Sequence, residues 1–201
     1  EMEASFLFGE YKVDVETDST PIFATRGVLS FLRGYTQDGV PHPGTPHVLD
    51  VGSTGLLHWH DFVDFTGELS RFGAPTKVIF ASPKFLTLVS KWATLYQYVT
   101  RTQDDEVFGV QVTRLRTPHF PRGIPIIGHW MLSDFGYDSL ALVLDFSLLR
   151  YRHLQGWDTK FFPDVGQRDI TEWVDEYITV AGLELRNVRA HGIIQGFVDA
   201  A

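Results

Sequence analysis

Cysteine is absent from the 201 residues, which excludes disulfides and thiolate metal centres at the outset. Lysine is scarce: of 17 basic residues, 5 are Lys and 12 are Arg. Arg carries a planar fork of donors and sheds its hydration more readily than an ammonium, so this bias favours interfaces over simple solubility. No apolar run approaches the roughly eighteen residues that a membrane-spanning helix requires. The acidic start, with Glu1 and Glu3, does not read as the basic region of a signal peptide. Positive charge is also in short supply, the formal net charge being −8 with 25 acidic residues. Nucleic-acid affinity comes chiefly from neutralising phosphates, so general nucleic-acid binding is disfavoured. Missing as well are a Walker loop, a Gly-x-Gly-x-x-Gly turn and a Gly-x-Ser-x-Gly nucleophile elbow.

What is present suits a folded core. At 44% hydrophobic and 14% aromatic residues, the chain can build one domain, or one domain with a sub-lobe. The segment 171–197 organises the rest. From Trp173 its odd positions run Trp173, Asp175, Tyr177, Thr179, Ala181, Leu183 and Leu185, giving one apolar and one mixed face at period two. This predicts an unusually long strand, a reversal at 187–190 and a short return strand at Ile193 and Ile194. At the other end, Met2, Phe6 and Leu7 form a partial helical stripe stopped by Gly9. No cap precedes it, so the chain is expected to begin near the end of a helix, followed by an acidic loop over 10–20.

Residues 26–34 predict two helical turns burying Val28, Leu29, Phe31 and Leu32, and 34–55, with five Gly and three Pro, reads as a long loop. Phe62, Phe65, Leu69 and Phe72 recur at threes and fours, predicting a helix over 61–72 capped by His60 or Asp61 and stopped at Gly73-Ala74-Pro75. Residues 77–81 predict a buried strand. Ser82-Pro83 then opens a second helix with Phe85, Leu88, Val89, Trp92, Leu95, Tyr96 and Val99 on one face. A polar break at 103–106 precedes a strand around Phe108 to Thr113, then a turn at Pro118, Pro121 and Gly123. Another strand follows at 124–127, where Pro125 marks an edge or bulge. The uninterrupted apolar run 140–144 predicts a strand buried on both sides, and 157–168 a loop. Helices mixed among strands argue an α+β fold.

Several clusters carry side chains capable of chemistry. His42, His47, His58 and His60 lie near Asp50, Asp61 and Asp64, and imidazoles with carboxylates are good zinc ligands. A His-x-His-x-Asp hydrolase pattern needs its carboxylate at position 62, which is Phe62. Helix capping by His60-Asp61 is the simpler account. Asp14, Glu16 and Asp18 mimic the start of a calcium loop, but Ser19 and Thr25 stand where that loop wants Gly and Glu. Asp104, Asp105 and Glu106 are adjacent rather than held apart as an acid–base pair must be. Ser53 with His58 and Asp61 lacks a presenting turn. Arg114, Arg116 and Arg122, with Arg150 and Arg152, offer a basic strip able to anchor an acidic neighbour. No catalytic, cofactor-binding or metal residue is assigned on these grounds, and no enzyme is expected.

Three stretches together carry a resemblance. They are Phe6-Leu7-Phe8-Gly9 after Glu3-Ala4, then 72–82 with Phe108-Gly109-Val110. The third is Glu176-Tyr177, 183–187 and Arg189-Ala190-His191-Gly192-Ile193-Ile194. The chain resembles the major capsid proteins of tailed bacteriophages, the coats of the Hong Kong 97 type. That resemblance implies an α+β fold with axial and peripheral domains, lacking the N-terminal arm, the extended loop and most of the spine helix. Residues 1–19 would be the end of the spine helix and a linker, 20–165 mainly the axial domain, and 166–201 the return to the peripheral domain. It implies a structural subunit of an icosahedral virion shell enclosing DNA, made in the host cytoplasm, with copies of itself as partners in pentamers and hexamers. DNA is met only indirectly, no membrane is involved, and no cofactor is implied. The chain as it stands is expected to remain a monomer or small oligomer. Two other readings stay open, a His-based metal-binding hydrolase and an encapsulin-like nanocompartment shell. The shell readings require the first and last segments to be neighbours, with Phe6 and Phe8 close to 177–185.

Overall fold

Period-two and period-3.6 apolar patterns sort the chain into strands and helices in the computed structural model, which describes residues 2–10, 12–15, 21–33, 46–52, 55–96, 99–107, 110–163 and 175–198. In order these are α1 (Met2–Phe8), β1 (Lys12–Val15), β2 (Pro21–Ala24), α2 (Val28–Leu32), β3 (His47–Asp50), α3 (Trp59–Leu69), β4 (Val78–Ala81) and α4 (Pro83–Tyr96). Next come β5 (Val99–Val107), β6 (Val110–Thr117), β7 (Phe120–Gly128), α5 (Met131–Asp134) and β8 (Leu140–Leu144). The last are β9 (Leu149–His153), β10 (Lys160–Phe162), β11 (Glu176–Ile178), β12 (Ala181–Leu185) and β13 (Gly192–Gln195). Two compact units result, Glu1–Phe31 with Leu149–Leu185, and Leu32–Leu148 with Arg186–Ala201. The boundaries between them fall at Leu32, Leu149 and Arg186.

The larger unit is built on a mixed sheet in the order β3-β13-β8-β4-β7-β6-β5. Within it lies β8, all five residues of which are buried, between antiparallel neighbours β13 and β4. One face of the sheet presents Ile79, Ala81, Ile124, Ile126, Ala141, Val143 and Ile194. Onto that face pack Phe62, Phe65 and Leu69 of α3 and Phe85, Leu88, Val89 and Trp92 of α4. Each fully buried side chain of this size contributes on the order of 1.5–3 kcal/mol relative to exposure. Leu142 and Ile193, one residue out of phase, are buried on the other face.

Helix starts follow local chemistry. Ser82 Oγ accepts the Phe85 N–H at 3.4 Å and Pro83 takes the first helical position, where its missing N–H costs nothing. In α3 the cap is His58, earlier than expected, and Asp61 in the first turn accepts the His58 N–H at 3.2 Å. The helix stops at Leu69, and Phe72 lies beyond it, its ring against His47 at 5.6 Å. Pro125 does not mark a sheet edge. It pairs with Arg114 of β6, while β4 joins β7 only from Ile126 onward, so Pro125 lacks an N–H where no β4 carbonyl awaits it. The strand continues back to Phe120, leaving Pro118-His119 as the turn.

Three expected loops contain strands. Residues 12–15 pair with 21–24, residues 47–50 pair in parallel with β13, and 160–162 pair with β11. The polar 103–106 lies inside β5, which pairs with β6 across a register shift. Polarity alone does not prevent an edge strand, since one side of it faces water. The predicted histidine loop at 34–45 and residues 53–54 lie outside the described residues.

The smaller unit corrects the reading of the final segment. The predicted single strand is broken at Thr179 and Val180, where the Val180 N–H donates to Trp157 O (3.0 Å) and Val180 O accepts the Leu154 N–H (2.9 Å). Its partner is not the return strand. β12 pairs with β9, β11 pairs with β10, and the stretch 154–159 bulges out between them opposite Thr179 and Val180. Asn187, at φ 47°, begins the reversal, but β13 then leaves for the seven-stranded sheet. Trp173 and Val174 lie outside the described residues. Of the two residues expected near 177–185, Phe6 approaches that segment by way of β9. Phe6 of α1 meets Tyr151 edge-on at 5.9 Å, and Tyr151 pairs with Leu183. Gly9 and Gly27 allow this corner to close. A methyl on Gly9 would run into the carbonyl oxygens of Ser5 and Thr25, and the Gly27 N–H reaches Gly9 O at 2.7 Å.

Candidate functional site

The histidines do not converge. His58 caps α3, His60 lies in its first turn, and His47 on β3 faces Glu68 at 3.5 Å. His42 and Ser53 lie outside the described residues. Among the described residues no group of three His, Asp or Glu side chains could hold a metal ion. Asp14 lies on β1, and Glu16 and Asp18 lie outside the described residues.

A different polar cluster occupies the larger unit's interior. Lys77 immediately precedes β4 and Asp145 immediately follows β8. Because Val78 pairs with Leu144, the antiparallel register brings these two flanking charges side by side. Both are buried, and Lys77 Nζ lies 3.8 Å from Asp145 Oδ2. The ammonium also donates to Phe72 O at 2.9 Å and Ala190 O at 2.7 Å. The carboxylate accepts the Ala74 N–H at 2.6 Å, the Ser147 N–H at 3.0 Å and the Ser147 hydroxyl at 2.6 Å. His191, just before β13, completes the set: the Asp145 N–H donates to His191 Nδ1 at 3.2 Å. Its Nε2 then carries the proton and faces Arg186 O at 3.3 Å.

These contacts settle the charge states. Burial pushes Lys77 down, opposed by the Asp145 charge. Burial pushes Asp145 up, but hydrogen bonds from Ser147 and Ala74 and the charge of Lys77 outweigh it, and its pKa lies below the usual value. Burial lowers His191 to about 4, so it is neutral near pH 7. With 0–1% exposure the three groups offer nothing to a substrate. What they do is tie the turn after α3, the ends of β4 and β8, and the turn before β13 to one another. Gly73 belongs to the same knot. At φ +77° it leaves room for Asp145 Oδ2, and a Cβ would approach that of Ala190 to 2.7 Å. In the sequence Lys77 opens the predicted strand 77–81, Asp145 flanks the apolar run 140–144 and His191 stands within 189–194, with nothing to link the three. The signal lay in a charge abutting each apolar run, and it becomes an ion pair only once those runs are aligned.

The surface carries the remaining features. On the smaller unit, Phe161 and Tyr177 form an exposed cross-strand pair, ring centroids 4.9 Å apart. Arg152 of β9 reaches Glu184 of β12, and Arg150 lies opposite Glu184 in the register. On the larger unit, Arg114 and Arg116 lie on β6 and Arg122 on β7. The two groups of the expected arginine strip thus belong to different units. Trp130, Phe135 and Phe146 are exposed on the larger unit, Phe146 against Phe80 at 5.7 Å.

Comparison with known proteins adds an independent line. A family model described as SU10 major capsid protein matches residues 1–197. Among solved structures, the holo-SrpI encapsulin complex from Synechococcus elongatus PCC 7942, determined by cryoEM, is similar with a TM-score of 0.52 and 11% identity. The match covers 88% of this chain and 58% of that one, so the chain spans little more than half of the encapsulin's length. No curated protein sequence matches.

Proposed function

The chain belongs to the SU10 major capsid protein family, and we propose that it is the structural subunit of an icosahedral bacteriophage capsid enclosing the DNA genome. Its α+β fold is of the Hong Kong 97 type. The carrying observation is the family match over 1–197, and two features support it. The corner joining α1 to β9 through Phe6 and Tyr151 agrees with a spine helix returning to a peripheral ribbon. The buried Lys77–Asp145–His191 knot is built to hold rather than to react. The larger unit is the axial domain in this reading, and the smaller one the end of the spine helix with peripheral strands. Its partners are copies of itself, arranged in pentamers and hexamers, present in the host cytoplasm before assembly and in the virion afterwards.

The test is expression of the complete gene, followed by electron microscopy and light scattering. Closed shells are expected. Monomers at every concentration and salt level would overturn the proposal. A second reading, an encapsulin-like nanocompartment shell, is open because the fold is shared with the encapsulin. Particles purified from the native source separate the two, since DNA inside supports the capsid and protein cargo supports the compartment.

A further inference from the structure

In the smaller unit β9 to β12 form a two-stranded ribbon in which no residue is buried. Two strands alone are marginal in water, so a ribbon of this kind relies on cover for its apolar side chains. At the β10–β11 end one face has cover from its own chain. Trp157 packs against Phe162 at 6.2 Å and receives Lys160 Nζ over its ring at 4.4 Å. Phe161 lies on the opposite face, because successive side chains of a strand alternate. There it stands directly across from Tyr177, and the two rings remain 48% and 69% exposed. The ribbon's two backbone edges differ as well. β10 is stopped at one end by Thr159, whose φ of 50° is rare for a β-branched residue. At its other end Pro163 has no N–H to give. β11 is flanked by Asp175 and Thr179, which carry neither obstacle, and among the described residues it pairs only with β10. An open strand edge is a template for another strand.

Resting on the shell reading, we propose that β11 pairs antiparallel with β11 of a second copy about a two-fold axis, Tyr177 against Tyr177. The four strands then run β10-β11-β11-β10, with Phe161, Tyr177, Tyr177 and Phe161 in one row across the face that is bare in a single copy. A two-fold contact requires a patch complementary to itself, and this strand meets that condition. Centred on Tyr177, Glu176 falls opposite Ile178 and Asp175 opposite Thr179, so no acid faces an acid. Centring one residue earlier would set Glu176 against Glu176, a destabilising like-charge pair. The exposed parts of the two rings amount to roughly 200–250 Å² per copy, well below the roughly 800 Å² per partner of a stable complex. The contact is therefore too small to make a dimer from free subunits, and it forms where other contacts already hold copies together.

The experiment uses the complete protein, and the absence of cysteine makes single-cysteine variants direct reporters of self-contact. In the proposed pairing Tyr177→Cys places two thiols directly across an antiparallel ladder, with Cα atoms about 4.5–5.5 Å apart, inside the range a disulfide spans. Phe161→Cys places them three strand spacings apart, about 14 Å, beyond that range. Assembled shells treated with oxidised glutathione and run on a non-reducing gel are expected to give at least about tenfold more covalent dimer for Tyr177→Cys than for Phe161→Cys. Charge supplies a second measurement. Tyr177→Asp and Tyr177→Lys should each need at least about tenfold more protein to assemble, because like charges then oppose each other across the axis. An equimolar mixture of the two should assemble again, which a folding defect in either variant would not allow. Closed shells in which the Tyr177→Cys thiol stays reduced would show that something else covers β11; they would overturn the proposal and leave the shell reading intact. Preferential dimers from Phe161→Cys would overturn the choice of edge. A wild type that never associates would overturn the proposal and the shell reading together.

Discussion

Replacing Asp145 by Asn keeps the shape of the side chain and removes one charge from a fully buried pair. Lys77 would remain buried, held by Phe72 O and Ala190 O but without its counter-charge. The single carbonyl oxygen of Asn could serve either the Ala74 N–H or the Ser147 donors, not both sets. Removing one partner of a buried ion pair costs about 3–5 kcal/mol, and the stranded donor is part of that figure. For a chain of this size each kcal/mol lowers the melting temperature by about 2–4 °C, so a fall of roughly 6–20 °C is expected. The pH dependence supplies a signature. Burial already lowers the Lys77 pKa and Asp145 opposes the shift, so in the variant it falls further. Between its folded and unfolded pKa values the unfolded state binds the extra proton, and stability therefore rises with pH. Urea unfolding followed by circular dichroism should show a smaller deficit at about pH 9.5 than at about pH 7. Adding Lys77→Met should cost little further, because a neutral pair of similar volume leaves no stranded charge. A deficit below about 1 kcal/mol, or one equal at both pH values, would refute the reasoning.

Two other predictions concern the same knot. His191 is held near 4 against an unfolded value of about 6.5, a gap worth about 3 kcal/mol. The unfolded state binds the extra proton in that window, so stability should fall as pH drops from about 6.5 toward 4. Denaturant titrations across it should show a shallower slope for His191→Asn; an unchanged slope would contradict the assignment. Gly73→Ala combines a positive φ with a clash against Asp145 and Ala190 and should cost about 2–4 kcal/mol. Gly52→Ala, also at positive φ but with nothing within 4 Å, should cost only about 1 kcal/mol; equal melting shifts would refute the crowding argument.

Much of the larger unit was legible because its signals are local. The 3.6-residue period of Phe62, Phe65 and Leu69, the Ser82-Pro83 start and the apolar run 140–144 each specify an element without reference to anything distant. Partner choice was not legible. Alternation at 175–185 reports two faces, and nothing in it says that residues 149–162 rather than Ile193 and Ile194 will pair with it. The knot was hidden for the same reason, since Lys77 and Asp145 meet only through the register of β4 against β8. The capsid identity came through residues at turns and termini, where Gly9, Asn187 and Gly192 are constrained by backbone approach. A Cβ on Gly192, for instance, would lie 2.5 Å from the Phe65 ring.

β13 is the last strand of the described chain to be synthesised, yet it occupies an interior place in the sheet, between β3 and β8. Until the ribosome has delivered it, β3 has no partner and β8 presents a bare edge of unpaired backbone groups. Residues 149–185 leave this sheet and return to it at one point, where the Arg186 N–H donates to Leu148 O at 2.9 Å. A nascent chain halted inside that excursion holds an open slot of apolar strand, the kind of template that recruits other chains. The slot between β3 and β8 therefore closes only once the chain has been made through Gln195, and a chain stopped before that point keeps a bare apolar strand edge.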